Sequence, residues 1–387
     1  VAELQRRFPK ARIVYSSATG ATEVENLAYA DRLGLWGDGT SFATKAEFVN
    51  KIAAGGVAAM EFVARDLKAQ GSYLARSLSM KGVQYERLEH TLTDDQRLIY
   101  DKLAEAWRNA LQHFDVALAK TEAGKNGHAK SAAKSAFWST NQRFWNQVMT
   151  SMQMPSLLDA VDADLKAGRS PVIQLVNTNE AQLDRAIDDA GDQAVLDLDM
   201  TPRDTLIDML REHYPVQQYQ VVVDPESGKK SSVPVIDSQG NPVLNKEMVA
   251  KRDALIEDLS MIRVPLGPLE MLFQHLPADL IAEATGRGKR IEYVDGKQVI
   301  KPRSPAMMAR DIAEFQNDKR RIMIFSDAGG TGASYHADKG AKNQRLRRHY
   351  LLQAGWRADK AVQGFGRTHR TNQAQAPEYV LVTTDLK

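Results

Sequence analysis

The stretch "IMIFSDAGGTG", residues 322–332, decides the fold class. Four consecutive apolar residues predict a strand over 322–325, buried on both faces as strands of a parallel sheet are. Small and polar residues follow at once, then three glycines. Glycine lets backbone N–H groups come close to a phosphate at such a turn. Two other segments repeat the layout: "IVYSSATG", residues 13–20, and "VIQLVNTNE", residues 172–180. Each predicts a strand, a tight polar turn and then a helix. Repetition of that unit implies an α/β sheet, whose strands turn their carboxyl ends toward a ligand crevice.

Further along stands "QGFGRTHRTNQ", residues 363–373, with Arg367 and Arg370 three positions apart. That spacing suits a solvated helix face. It also suits two guanidinium forks aimed at one phosphoryl group. The surrounding charge is uneven. Between positions 339 and 370 lie nine Lys or Arg and one acid, Asp359, whereas the whole chain has 51 basic and 49 acidic residues. A basic cluster on an otherwise acidic chain marks either a polyanion partner or a solvated surface. Lys342, Arg345, Arg347 and Arg348 are the candidates for phosphate-backbone contact, with Asn177 and Thr178 at the end of the 172–176 strand. Lys319, Arg320 and Arg321 form a second basic group.

Between these segments the pattern alternates. Residues 92–114 predict an amphipathic helix capped by Thr93 or Asp94, with Leu98, Leu103 and Trp107 on one side. Residues 121–135 are small and polar and predict a loop. Residues 136–154 return to helix, and Phe144, Trp138 and Trp145 there fit a core better than base-stacking platforms. Residues 217–240 predict a hairpin-like insertion. Residues 268–300 predict two short helices and a hairpin, and a last strand falls over 378–383.

The 387 residues leave room for two or three domains. Cysteine is absent, which excludes disulfides and thiolate zinc sites and fits a reducing compartment. No histidine spacing predicts a metal site, and no apolar run is long enough to span a bilayer. The first residue is Val, which suggests an excised piece.

Taken in order, the motifs resemble those of superfamily 2 helicases, and more narrowly the strawberry notch family. The blocks that carry the resemblance are "VYSSATGATEVENLAYADRLGLWG", "FWSTNQRFWNQV", "AEATGRGKR", "ADKGAKNQR" and "QGFGRTHRTNQAQAPEYV". The resemblance implies a RecA-like helicase C-terminal lobe with helical and β-hairpin insertions, plus the tail of a first RecA-like lobe. The corresponding division is a first-lobe tail over 1–90, a helical connector over 91–165 and a second lobe over 166–387, with an insertion around 200–300. Ser17, Ala18 and Thr19 would couple nucleotide state to nucleic acid. Gln363, Gly366, Asp327, Gly329, Gly330, Thr331 and Gly332 would contact nucleotide, and Arg367 and Arg370 would act catalytically. ATP and Mg²⁺ would be the cofactors, held mainly by an N-terminal ATPase lobe in the same or another chain. Nucleic acid, DNA in particular, would be the partner, with no membrane. Compact length and absent cysteine favour a cytoplasmic, bacterial or phage branch.

Two departures stand against the family pattern. The phosphate loop GxxxxGK[ST] does not occur in the sequence, nor does the acidic magnesium motif that should precede "SSATG". Ser334 stands where many helicases carry Asp, so that side chain does not match the family's ribose contact. The reading is therefore part of a nucleic-acid-dependent ATPase, helicase or translocase, inactive as an isolated piece. A non-catalytic helicase-like scaffold or DNA-binding regulator is the alternative.

Overall fold

The structure is a computed structural model. It describes residues 1–16, 24–74, 79–121, 123, 127–190, 201–223, 230–294, 296–326, 332–355 and 358–386. Two compact units divide the chain, Val1–Met80 and Lys81–Lys387.

The first unit holds α1 (Ala2–Arg7) and α2 (Lys45–Ala69). Thr44 caps α2 by accepting from the Glu47 N–H, and Gly56 breaks its regularity with φ 59°. Its small core is Val24, Leu35, Phe48, Ile52 and Leu67. The strand expected over 13–15 is not formed; those residues have no regular structure.

The second unit is built on a six-stranded sheet, every pairing parallel. In chain order the strands are β1 (Gln84–His90), β2 (Ser170–Gln174), β5 (Ile281–Ala284), β8 (Ile322–Phe325), β9 (Arg347–Leu351) and β10 (Glu378–Thr384). Their spatial order is β1-β10-β9-β2-β8-β5. The segment 84–90, expected within a first-lobe tail over 1–90, pairs into this sheet through β10. β3 (Tyr219–Val223) pairs with β4 (Lys230–Pro234), and β6 (Lys289–Val294) with β7 (Lys297–Pro302), as separate antiparallel hairpins.

Side chains alternate between faces with period two. Ile173, Leu175, Ile322, Ile324, Tyr350, Leu352, Val380 and Val382 bury one face under α5 (Met154–Lys166) and α9 (Pro268–His275). Val172, Ala282, Ala284, Met323 and Phe325 bury the other with Phe315 of α10 (Pro305–Gln316) and Tyr335.

A separate helical core joins α3 (Asp94–Lys120), α4 (Gly127–Met152), α7 (Pro202–His213) and α8 (Lys246–Ser260). The expected connector over 91–165 is thus packed with helices of the 200–300 insertion. α6 (Glu180–Ala190) lies before α7. Thr93 caps α3 through a reciprocal capping box with Gln96. Leu103 and Trp107 are buried, whereas Leu98 is exposed. Phe144 is fully buried and Trp138 exposed, so only part of the aromatic stripe is core.

Two further expectations are corrected. α4 begins at Gly127, inside the stretch expected as a loop; Ala and Lys are good helix formers and dominate its first turns. The second short helix expected after residue 276 is instead β5, whose Ile281 and Ala282 pair with Ile322 and Met323. Alanine's helix preference yields there to a sheet edge that needs small side chains under α10.

Candidate functional site

The last helix, α11 (Ala358–Phe365), leads into the arginine segment. Gly366 N–H bonds to the Val362 carbonyl, and Arg367 N–H to that of Gly364, closing a tight turn. Residues 335–339 lie against it, with one antiparallel bridge between Asp338 and Gln373. Tyr335 N–H donates to Arg367 O at 2.7 Å, Lys339 N–H to Asn372 O at 3.0 Å, and Ala374 N–H to Ala337 O at 2.7 Å. Asp338 ties the two stretches further, accepting from Gly340 N–H and Asn372 Nδ2 and pairing with His336 Nε2.

Within this clamp both guanidinium groups are oriented by backbone carbonyls. Arg367 Nη1 donates to Ala333 O at 3.0 Å, and Arg370 Nε to Gly366 O at 2.8 Å. Both residues are partly exposed, and Arg370 makes no ion pair among the described residues. Tyr335 lies beside Arg367 and is fully buried; burial pushes its phenol up to about 12. Its hydroxyl has no hydrogen-bond partner among the described residues. Gln363 is partly exposed on α11.

Gly332 is in the left-handed region with φ 81°, where a side chain would be strained. Asp327, Gly329, Gly330 and Thr331 lie outside the described residues, as do Ser17, Ala18 and Thr19. The turn that precedes them is anchored: Ser326 Oγ donates to Thr285 O at 3.0 Å.

The basic segment proves to be internal structure. Arg347 is 1% exposed. Its guanidinium donates to the carbonyls of Tyr335, His336, Asn343 and Arg345 and to the Asn343 side chain. Burial holds it below its ordinary pKa. Arg348 joins three elements, pairing with Glu378, Glu86 and Asp164. Arg345 pairs bidentately with Asp318. These three arginines, expected to meet a phosphate backbone, are engaged here by carbonyls and acids of the chain itself. Their donors already satisfy carbonyls and acids that would otherwise be left unpaired. Arg320 pairs with Glu314 and Asp311, and Arg321 donates to Arg169 O. Lys342 is exposed, and Asn177 and Thr178 are partly exposed at the carboxyl end of β2.

Sequence reading missed two groups. The first is His349, fully buried on β9. Its Nδ1 lies 2.8 Å from Thr368 Oγ1 and its Nε2 3.1 Å from Gln174 Oε1. Burial pushes the imidazole down to about 3, so the ring is neutral. The available signal was a polar residue inside each strand, Gln174 in "VIQLV" and His349 in "RHYLL". The second is a buried ion cluster around "AEATGRGKR". Glu283 bonds Arg287 at 2.6 Å and lies near Arg290 and Arg303, while Asp311 pairs with Arg303 and Arg320. Burial alone would raise the Glu283 carboxyl, but Arg287 and Arg303 outweigh it and hold it below the usual range. This cluster fixes the loop after β5 beside the end of β8.

A parallel sheet with a backbone-clamped arginine segment on one face defines a helicase-type C-terminal domain of the P-loop NTPase class. Comparison with known proteins agrees. The family described as "C-terminal domain on Strawberry notch homologue" matches residues 267–387, and "P-loop containing NTP hydrolase pore-1" matches residues 1–102. The chain belongs to the strawberry notch family.

Protein strawberry notch homolog 1 of Rattus norvegicus is 31% identical over 100% of this chain and 36% of its own length. Protein FORGETTER 1 of Arabidopsis thaliana is 27% identical over 100% of this chain and 38% of its own length. Protein strawberry notch of Drosophila melanogaster is 39% identical over 56% of this chain and 13% of its own. The chain spans about a third of the length of the first curated relatives it matches. These relatives come from animals and a plant, and they lend no support to the bacterial or phage branch expected from length and cysteine content. No described helix is long and apolar enough to cross a membrane.

Proposed function

We propose that this chain contributes the second lobe of a nucleic-acid-dependent ATPase of helicase or translocase type. Arg367 and Arg370 would reach the phosphates of ATP held by a P-loop on another lobe. One observation carries the reading. The arginine segment is fixed by a run of backbone hydrogen bonds from residues 335–339, and Arg370 keeps its Nη groups out of any ion pair among the described residues.

Such guanidinium groups suit phosphoryl oxygens as bidentate donors, and their charge would offset the charge that builds up during transfer. Bound ATP with Mg²⁺ would supply the phosphoryl group. Among the described residues no cluster of three His, Asp or Glu could hold a metal ion, so the metal would ride with the nucleotide on the P-loop lobe. Nucleic acid, DNA in our reading, would meet Lys342, Asn177 and Thr178 rather than the internally paired arginines.

The test is Arg367→Ala in the full-length protein that contains this chain, with steady-state ATPase measured beside a DNA-binding titration. Hydrolysis should fall by roughly 10³ to 10⁵ while DNA affinity holds. Turnover at the unmodified level would overturn the reading and leave a helicase-like scaffold that binds without hydrolysis.

A further inference from the structure

The structure assigns His349 as the residue that positions the arginine segment on the sheet. The assignment rests on the reading of Arg367 and Arg370 as phosphate-facing. It names a residue for which that reading has no role.

Three elements meet at this imidazole. It lies on β9 between the rings of Phe325, Phe365 and Tyr379, with centroid distances of 5.4–5.6 Å. On one side it reaches Thr368, the residue directly after Arg367. On the other it reaches Gln174 of β2. A neutral ring donates from one nitrogen only. Donation from Nε2 to Gln174 Oε1 leaves Nδ1, at 2.8 Å, to accept the Thr368 hydroxyl in competition with the Phe365 carbonyl at 3.2 Å. The Gln174 carboxamide in turn lies where a side chain on Gly364 would be. Thr368 is 1% exposed and has Arg367 before it and Arg370 two residues after. Fixing Thr368 therefore fixes the origin of both arginine side chains.

Tyr335 N–H holds the Arg367 carbonyl from the opposite side. The segment is thus held at Gly364, Phe365, Arg367 and Thr368, with side chains of the sheet meeting it at Gly364 (Gln174), Phe365 (Tyr379) and Thr368 (His349). A replacement that cannot span Thr368 and Gln174 leaves the Gln174 carboxamide without its imidazole partner and the Thr368 hydroxyl with only the Phe365 carbonyl at 3.2 Å, a loss of pairing that buried polar groups resist. Release of Thr368 is the cheaper outcome, and it would displace the arginines from their aim. A misplacement of about 1 Å is enough to lower a rate by roughly 10²-fold.

The test uses the full-length protein containing this chain, with Mg-ATP and oligo(dT) as probes. His349→Gln removes the ring. Thr368→Val removes only the hydroxyl and keeps the shape, so it serves if the first variant does not fold. Amide hydrogen exchange over residues 363–370 should quicken by about tenfold or more in either variant, with exchange in β8 unchanged. The kcat should fall by about 10- to 100-fold with KM for ATP nearly constant. Added to Arg367→Ala, either variant should lower kcat by less than it does alone, because only Arg370 is left to misplace.

Unchanged exchange over 363–370 in both variants overturns the assignment, as does a kcat loss that adds fully to that of Arg367→Ala. If the unmodified protein shows no ATPase, the proposed function falls, and hydrogen exchange alone then decides whether His349 positions the segment.

Discussion

A methyl group on Gly364 would overlap the Gln174 carboxamide, the same group that accepts from His349. Gly364 is thus set by close approach rather than by a positive φ. Gly364→Ala should destabilise the chain by about 1–3 kcal/mol, the usual cost of overpacking, read as a lower urea midpoint. Adding Gln174→Ala should recover part of the loss, since the two groups share one space. An additive double variant would place the strain elsewhere. His349 carries a second prediction at this scale. Its folded pKa is depressed to about 3 by burial, and an unfolded histidine titrates near 6.5. The unfolded chain therefore takes the proton first. Stability from this group is present above pH about 6.5 and is lost toward pH 3, by up to about 1.4 kcal/mol per unit. His336 is depressed in the same direction, by burial first and then by Arg370 and Arg347 against the pull of Asp338. The urea midpoint measured from pH 7 to pH 4 should fall, and His349→Gln should flatten the slope. An equal slope in the variant would assign acid lability to other groups.

At the scale of elements, the stretch from Gly332 to β9 works as the brace of the arginine segment. Arg347 spans it from inside, donating to four carbonyls along the stretch, and Arg348 binds β9 to β10 and β1 through Glu378 and Glu86. Replacing Arg345, Arg347 and Arg348 with Ala should lower the thermal midpoint sharply, since each buried carbonyl left unpaired costs about 1–3 kcal/mol. A normal midpoint with a reduced salt slope of DNA binding would return these arginines to the surface role that their charge suggested.

Charge counting failed here for a physical reason: a basic run says nothing about which acids lie opposite. Asp318, Glu378, Glu86 and Asp164 come from four separate places in the chain. Elements with strong local signals were legible. β8 matches the expected 322–325, β10 runs one residue past the expected 378–383, and Thr93 caps α3 as expected. β5 was not legible, because "IAEA" favours helix locally and becomes a strand only through pairing with β8. The arginine pair was legible as a motif, whereas its support by His349 and Gln174 depends on strands 175 positions apart.

For the whole molecule, the division at Met80 and Lys81 sets the last expectation. All six strands of the sheet begin after Lys81, including β1, whose seven residues pair in register with β10. The helical core and both faces of the sheet draw on residues from Leu88 onward. The core of the first unit draws only on residues between Val24 and Tyr73. Each unit has apolar clusters of its own, so each should fold on its own terms. Residues 81–387 expressed alone should unfold in one cooperative transition, with a midpoint within about 5 °C of the full chain. The edge strand supplies the sharpest form of this test. A chain starting at residue 91 removes β1, exposes the flank of β10 and strips Glu86 from Arg348. That shorter chain should melt well below the one starting at 81, or aggregate through its open edge. Equal melting of the two would show that β1 is not integral to the sheet and would restore the boundary near residue 90. Loss of cooperative folding in 81–387 would instead show that the larger unit depends on Val1–Met80.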